Sequence, residues 1–254
     1  MDATQDRREF KFLLPSELVG AVRAQVSEHL EADRDAAGGY RIRSDYFDSE
    51  DRESYWQKIL GQSNRRRVRT RTYGEPGTGR APTRFVEIKH KQGNLTVKRR
   101  LLVDGEEMAA LLGGRVPTFR SAEDERFPSE LCDLILDPPW RPVVRIQYHR
   151  WAYDSGADGT IRITFDTRVR CCFPDYRAGE DPEPDLDLLG PGGAIMEVKT
   201  IGPVPYWFRC LLGHFALVPR GFSKYTVALG RFEFGRSDFH EPRHPVQRHP
   251  LLPR

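Results

Sequence analysis

Arg65-Arg66-Arg67-Val68-Arg69-Thr70-Arg71-Thr72-Tyr73 sets arginine at every second position, with Val68, Thr70 and Thr72 between. β-Branched residues favour extended backbone, and successive side chains of a strand point to opposite faces. Arg65, Arg67, Arg69 and Arg71 therefore line one face, and Val68, Thr70 and Thr72 the other. Same-face neighbours lie about 6.6 to 6.8 Å apart. Two unit charges at that spacing repel by roughly 2.5 kcal/mol at an effective dielectric near 20. Such a row needs either open water laced with acids or an anion lying along it.

Neighbouring segments repeat the pattern. RFVEIKHKQG puts Glu87, Lys89 and Lys91 on one face and Val86, Ile88 and His90 on the other; LTVKRRLLV puts Lys98 and Arg100 opposite Arg99. VVRIQYHRWAY places Tyr148 and Arg150 together, with His149 turned away as a packing residue. GTIRITFD groups Arg162, Thr164 and Asp166, and IMEVKT pairs Glu197 with Lys199. In a two-sheet sandwich one face of each strand meets the core and the other is interspersed with acids. Here the acids are few and stand beside lysines. A closed antiparallel barrel accounts for this if the charged faces point inward and the apolar faces pack against helices outside. Arginine forks and lysine point charges in such a lumen suit a phosphate chain, and the sparse glutamates suit Mg²⁺ or Mn²⁺.

The whole chain is compatible with this. Its 254 residues suffice for one large domain, and 40 basic against 37 acidic residues leave a formal charge of +3, too small for non-specific nucleic-acid binding. Cys132, Cys171, Cys172 and Cys210 show no metal spacing and read as thiols of a reducing compartment. No segment approaches the ~18 apolar residues of a membrane helix, so the expectation is a soluble, cytoplasmic protein without a membrane span of its own. There is no internal repeat and no Walker-type glycine loop, so a nucleotide would be gripped by its phosphates.

PSELVGAVRAQVSEHL, with Leu18, Val19, Val22, Val26 and Leu30 at helical intervals, predicts an amphipathic helix. Strands are expected at 40–47, 84–91, 95–103, 143–153, 160–165 and 195–200, joined by turns at Gly74-Glu75-Pro76-Gly77, Gly93-Asn94 and 155–159, and further helices at 105–112, 128–136, 205–215 and 223–230. Tyr206, Trp207 and Phe208 are expected on the barrel's outer wall. Residues 178–189 read as an acidic loop. Residues 1–235 form the expected domain, and 236–254 a Pro/His/Arg-rich tail whose His240, His244 and His249 fit no ligand spacing.

Taken in order, RREFKF, YRIRSDYFDSEDRESYWQKI, RVRTRTYG, FVEIKHK, VVRIQYHRWAY, IRITFD, IMEVKT and GFSKYTVAL make the chain resemble the triphosphate tunnel enzymes (CYTH-like). Within them it resembles the VTC (vacuolar transporter chaperone) catalytic domain that polymerises polyphosphate. The resemblance runs from about Arg7 to Gly230. It implies an α+β fold, an antiparallel tunnel barrel of about eight strands with a basic lumen and helices outside. It also implies transfer of a nucleotide γ-phosphoryl group, from ATP or another triphosphate, onto a growing chain. By motif position Lys11, Arg67, Arg69, Lys89, Arg150 and Lys199 would be catalytic, while Arg71, Lys91, Lys98, Tyr148, Arg162, Ser223 and Lys224 would bind substrate. Glu197, with Glu87 and Glu9, would hold Mn²⁺ or Mg²⁺. Hydrolases of the superfamily open with Glu-x-Glu-x-Lys; here Arg7 takes the first glutamate's place in Arg7-Arg8-Glu9-Phe10-Lys11, which favours the polymerase. The alternatives are a metal-dependent triphosphate hydrolase and a non-catalytic polyphosphate-binding module. A separate membrane partner is compatible with all three.

Overall fold

The computed structural model describes residues 7–33, 38–74, 81–93, 95–121, 126–136, 139–156 and 159–235; the expected tail and the tips of several turns lie outside these residues. Among the described residues ten strands form one antiparallel sheet: β1 (Arg7–Leu14), β2 (Glu31–Ala32), β3 (Tyr40–Asp48), β4 (Asn64–Tyr73), β5 (Thr83–Gln92), β6 (Leu95–Leu102), β7 (Arg141–Asp154), β8 (Ile161–Cys172), β9 (Leu186–Asp187) and β10 (Ala194–Ile201). The main path runs β1-β10-β8-β7-β3-β4-β5-β6, with β2 on β7 and β9 on β8. β5 turns directly into β6 through Gly93, whose φ of +56° is left-handed backbone open to glycine at no steric cost.

The period-2 reading of the arginine strand holds. Val68 and Thr70 are fully buried beneath α3 (Gly105–Leu112) and α4 (Arg126–Leu136) or against β3, while Arg67 and Arg69 face the other way. Val68, Val86 and Ile88 pack with Met108, Leu111, Leu131 and Ile135 on this outer flank. α3 starts where Asp104 and Glu107 close a reciprocal capping box. On the other outer flank α1 (Ser16–Ser27) and α5 (Tyr206–His214) cover Phe12, Phe165, Met196 and Val198 through Val22, Val26, Phe208 and Leu211. Each such side chain withdrawn from water contributes about 1.5–3 kcal/mol, which drives the sheet to curl around its charged face. Tyr206 is exposed and Trp207 stacks on His29, so of the aromatic run Phe208 is the residue that seals the wall.

The sheet curls far enough that Lys89 on β5 feels the charges of Glu9 and Lys11 on β1, at the opposite end of the strand order. One end of the concave face is filled. There α6 (Lys224–Ala228) and the π-helical turn Leu229–Glu233 lay Tyr225, Val227 and Leu229 on Ile42, Tyr46, Val144, Ile146 and Tyr148. The other helices' placement outside the sheet thus has one addition, a helix seated within it.

Strands β1, β2 and β9 are not among the expected strands, β9 lying within the segment read as an acidic loop, and three further local features depart from the sequence reading. Helix α2 (Glu53–Ile59) follows β3; the buried Asp48 carboxylate and Ser49 hydroxyl accept from the backbone N–H groups of Glu53, Ser54 and Tyr55 and so start it. β8 continues to Cys172, past a register shift against β7 at which Arg168 takes φ +49°; the bulge breaks the alternation that would have announced the extra length. On β3 the cations point outward: Arg41 and Arg43 meet Glu183 and Asp181 of the acidic loop at 3.6 and 3.3 Å.

Candidate active site

Antiparallel register brings the predicted residues together from strands far apart in sequence. On β4, β5 and β6, Arg67 lies opposite Lys89, Arg69 opposite Glu87, and Lys89 opposite Lys98. Arg69 grips Glu87 through Nε and Nη2 at 2.7 and 2.6 Å, Lys98 holds the other oxygen at 2.6 Å, and Arg71 stands 4.0 Å away. Lys91 continues the row beside Arg65 at the strand's end.

Facing this wall, β1, β10, β8 and β7 carry a second set. Glu197 lies opposite Lys11, and Lys199 opposite both Glu9 and Arg162. Lys199 reaches Glu197 at 2.6 Å, and Lys11 sits between Glu9 at 3.1 Å and Glu197 at 3.7 Å. Arg162 turns to the rim, where it donates to Asp33 at 2.9 Å.

α6 joins the two walls. Its N-cap Ser223 accepts from Arg67 at 3.1 Å, Thr226 accepts from the same guanidinium at 3.4 Å, and Lys11 donates to the Phe222 carbonyl at 3.2 Å. Lys224 donates to Asp166 at 2.6 Å, and Arg150 clamps Asp166 with two bonds of 2.6 and 2.7 Å. The Tyr148 ring lies beneath both cations, 4.5 Å from Lys224 Nζ and 5.3 Å from the Arg150 guanidinium carbon.

The carboxylates form one pair and two singles. Glu87 is locked on the β4–β6 wall, Asp166 beneath Arg150 and Lys224, and Glu9 and Glu197 share Lys11. Among the described residues no three His, Cys, Asp or Glu side chains converge as a ready-made metal cluster. Glu197 and Glu9 are therefore the pair that could hold a divalent cation, with Glu87 separated from them by its own cations. Burial would push Glu197 up, but Lys11, Lys199, Arg150 and Lys224 hold it far below the usual carboxylate range. Burial opposes ionisation of Asp166 as well, and Arg150 and Lys224 outweigh it and lower its pKa. Lys89 is pushed down, mainly by burial.

Glu87 carries a prediction. Burial opposes its ionisation, yet Arg69, Arg71 and Lys98 bring its pKa from 4.5 to about 2. A depressed carboxyl contributes stability that is full above its unfolded value and lost as pH falls through its folded value. Urea unfolding between about pH 5 and 2 should therefore show a loss on the order of 3 kcal/mol that Glu87→Gln lacks. Equal pH slopes for the two proteins would refute the caged state of Glu87.

Asp166, Tyr46 and Thr226 belong to the site but were not singled out as site residues from the sequence. Asp166 shares a face of β8 with Arg162, as strand alternation requires, and its value as a double counter-ion depends on α6 being inside the sheet. His149 packs edge-on against Trp151 at 4.4 Å, as a packing residue should.

Residues 6–232 match the family model of the VTC domain. The chain belongs to the VTC domain family. Among curated relatives of this VTC domain is the vacuolar transporter chaperone complex subunit 4 of Schizosaccharomyces pombe. It is 28% identical over 234 residues, covering 77% of this chain and 32% of that one. Its Trypanosoma cruzi namesake is 26% identical over 165 residues, 56% of this chain and 21% of that one. The VTC domain thus spans about a third or less of the length of these relatives. Among solved structures, a Bacillus halodurans protein described as a candidate adenylate cyclase superposes with a TM-score of 0.51 at 13% identity. That match covers 88% of this chain and 95% of that one, and supports the tunnel-barrel fold alone. No helix among the described residues is long and apolar enough to cross a membrane.

Proposed function

We propose that this VTC domain is a metal-dependent polyphosphate polymerase, moving the γ-phosphoryl group of ATP or another nucleoside triphosphate onto the end of a phosphate chain. The observation that carries the reading is the surplus of cations on one concave face. Lys11, Arg67, Arg69, Arg71, Lys89, Lys98, Arg150, Lys199 and Lys224 outnumber Glu9, Glu87, Asp166 and Glu197, and the acids are already held. Phosphoryl transfer spreads charge over the equatorial oxygens and needs the attacking and leaving oxygens in line. Arg67, Arg69 and Lys89 on one wall and Lys11, Lys199, Arg150 and Lys224 on the other would grip successive phosphates from both sides. That arrangement supplies alignment and charge neutralisation without a protein nucleophile. Ser223, Thr226 and Tyr148 would orient phosphate oxygens at the junction with α6, with Lys91 and Arg162 at the rim.

Hard carboxylate oxygens from Glu197 and Glu9, completed by phosphate oxygens and water, fit Mg²⁺ or Mn²⁺, which commonly take one or two carboxylates plus substrate phosphates. Held by Glu197 and Glu9, the ion would supply Lewis-acid charge neutralisation to bound phosphate. The relatives' name as subunits of a complex supports a partner protein, and four free thiols support a cytoplasmic site of action.

The test is incubation with ATP and Mn²⁺ or Mg²⁺, resolving products by gel and phosphorus NMR, with Glu197→Gln alongside. Long phosphate chains and ADP, absent in the variant, are expected. Free phosphate without chains would make the protein a hydrolase, and tight chain binding without turnover in either protein a binding module.

A further inference from the structure

Tyr46 stands on β3 opposite Arg69, inside the cationic face. Its ring is fixed by stacking on Tyr225, with centroids 5.2 Å apart and planes at 21°. Its hydroxyl oxygen accepts from Arg69 Nη1 at 3.1 Å. The hydroxyl hydrogen has no acceptor among the hydrogen bonds of the described residues. Its charged neighbours Arg69, Arg71 and Lys224 can only donate. The carboxylate beyond Arg69, Glu87, has one oxygen on that arginine and the other on Lys98. A buried donor lacking an acceptor thus sits among three cations, and a phosphate oxygen satisfies both.

We propose that Tyr46 is a substrate-contacting residue of the tunnel, its phenolic O–H donating to an oxygen of a bound phosphate chain. The inference rests on the tunnel holding such chains. Burial alone would push the phenol up, but Arg69, Arg71 and Lys224 outweigh it and hold Tyr46 at about 8. Below that value the hydroxyl is protonated and can donate. Above it the donor is lost and a phenolate opposes the incoming anion, so affinity is full at neutral pH and falls as pH rises through about 8. Other groups face the same space. Lys89 of β5 and Lys98 of β6 are pushed down mainly by burial, Tyr225 of α6 is pushed well up, and Tyr148 of β7 lies beside Arg69 and Arg71. All of these remain when Tyr46 is replaced, so the difference between the two proteins isolates its contribution.

The experiment is calorimetric titration of tripolyphosphate into the whole chain and into Tyr46→Phe across about pH 7 to 9.5, with tyrosinate absorbance followed in parallel. The variant should bind roughly 10- to 100-fold more weakly at neutral pH, the worth of one hydrogen bond to a charged oxygen. It should also lose the alkaline fall and the phenolate signal near pH 8, a signal that tripolyphosphate suppresses in the native protein. Equal affinity at neutral pH with the same alkaline fall in both proteins would overturn the inference. So would weaker binding that keeps that fall, which would make Tyr46 a packing residue only. Failure of the native protein to bind tripolyphosphate would instead remove the tunnel reading, and this inference with it.

Discussion

Asp166→Ala is expected to lower the unfolding free energy by about 3–5 kcal/mol, the usual cost of removing one partner from a buried ion cluster. At about 2–4 °C per kcal/mol for a domain of this size, the melting temperature should fall by roughly 10 °C. Asp166 is fully buried, and its two cations Arg150 and Lys224 expose only 13% and 12% of their side chains, so neither can turn to water when the carboxylate is lost. The comparison is Asp187→Ala. Its pair with Arg170, at 3.0 Å, is half-exposed on both sides and should cost less than about 1 kcal/mol. The two cations left by Asp166→Ala are also free to meet phosphate. Added tripolyphosphate should then restore more melting temperature to this variant than it adds to the native protein. Equal costs for the two substitutions would show that Asp166 is solvated in solution and that the clamp does not exist.

The second large effect is expected at Asp48. One oxygen accepts from the backbone N–H groups of Ser49 and Ser54 at 2.9 and 2.8 Å, and the other from Tyr55 N–H at 3.1 Å and from the Tyr225 hydroxyl. Asp48→Ala leaves these donors buried without an acceptor, which should cost on the order of 3–5 kcal/mol. Tyr225→Phe removes a single bond and should cost about 1–2 kcal/mol. Because the partners are in contact, the double variant should cost less than the sum of the singles, and strict additivity would disprove the bond. Tyr225 also carries the helix that presents Ser223 and Lys224, so Asp48→Ala should weaken tripolyphosphate binding although it touches no phosphate itself.

The period of the charged residues made the fold legible. Arg67, Arg69 and Arg71, Glu87 and Lys89, Lys98, Arg150, Glu197 and Lys199 all lie on the concave face that alternation assigns them. Alternation is silent about register. Nothing local says that Glu87 falls opposite Arg69 and within reach of Lys98, which turns a candidate metal ligand into the centre of a cation cage. It also cannot say which face of a strand turns inward. On β3 the arginines look outward and tyrosines look in, a reversal that requires Asp181 and Glu183 of a loop more than a hundred residues away in sequence. Asp166 was hidden for a similar reason, since its partners come from the preceding strand and from a short helix near the end of the described chain whose apolar residues would suit either side of the sheet.

The bond from Lys11 to the Phe222 carbonyl spans 211 positions of sequence. Contacts of such separation must overcome the loop-closure entropy of nearly the whole chain before they contribute, and topologies dominated by them fold slowly. Lys11, Glu197, Ser223 and Lys224 can therefore meet only after the intervening strands have paired. Ligand competence is then among the last properties this polypeptide acquires as it folds, and its appearance in a refolding experiment marks completion of the entire sheet.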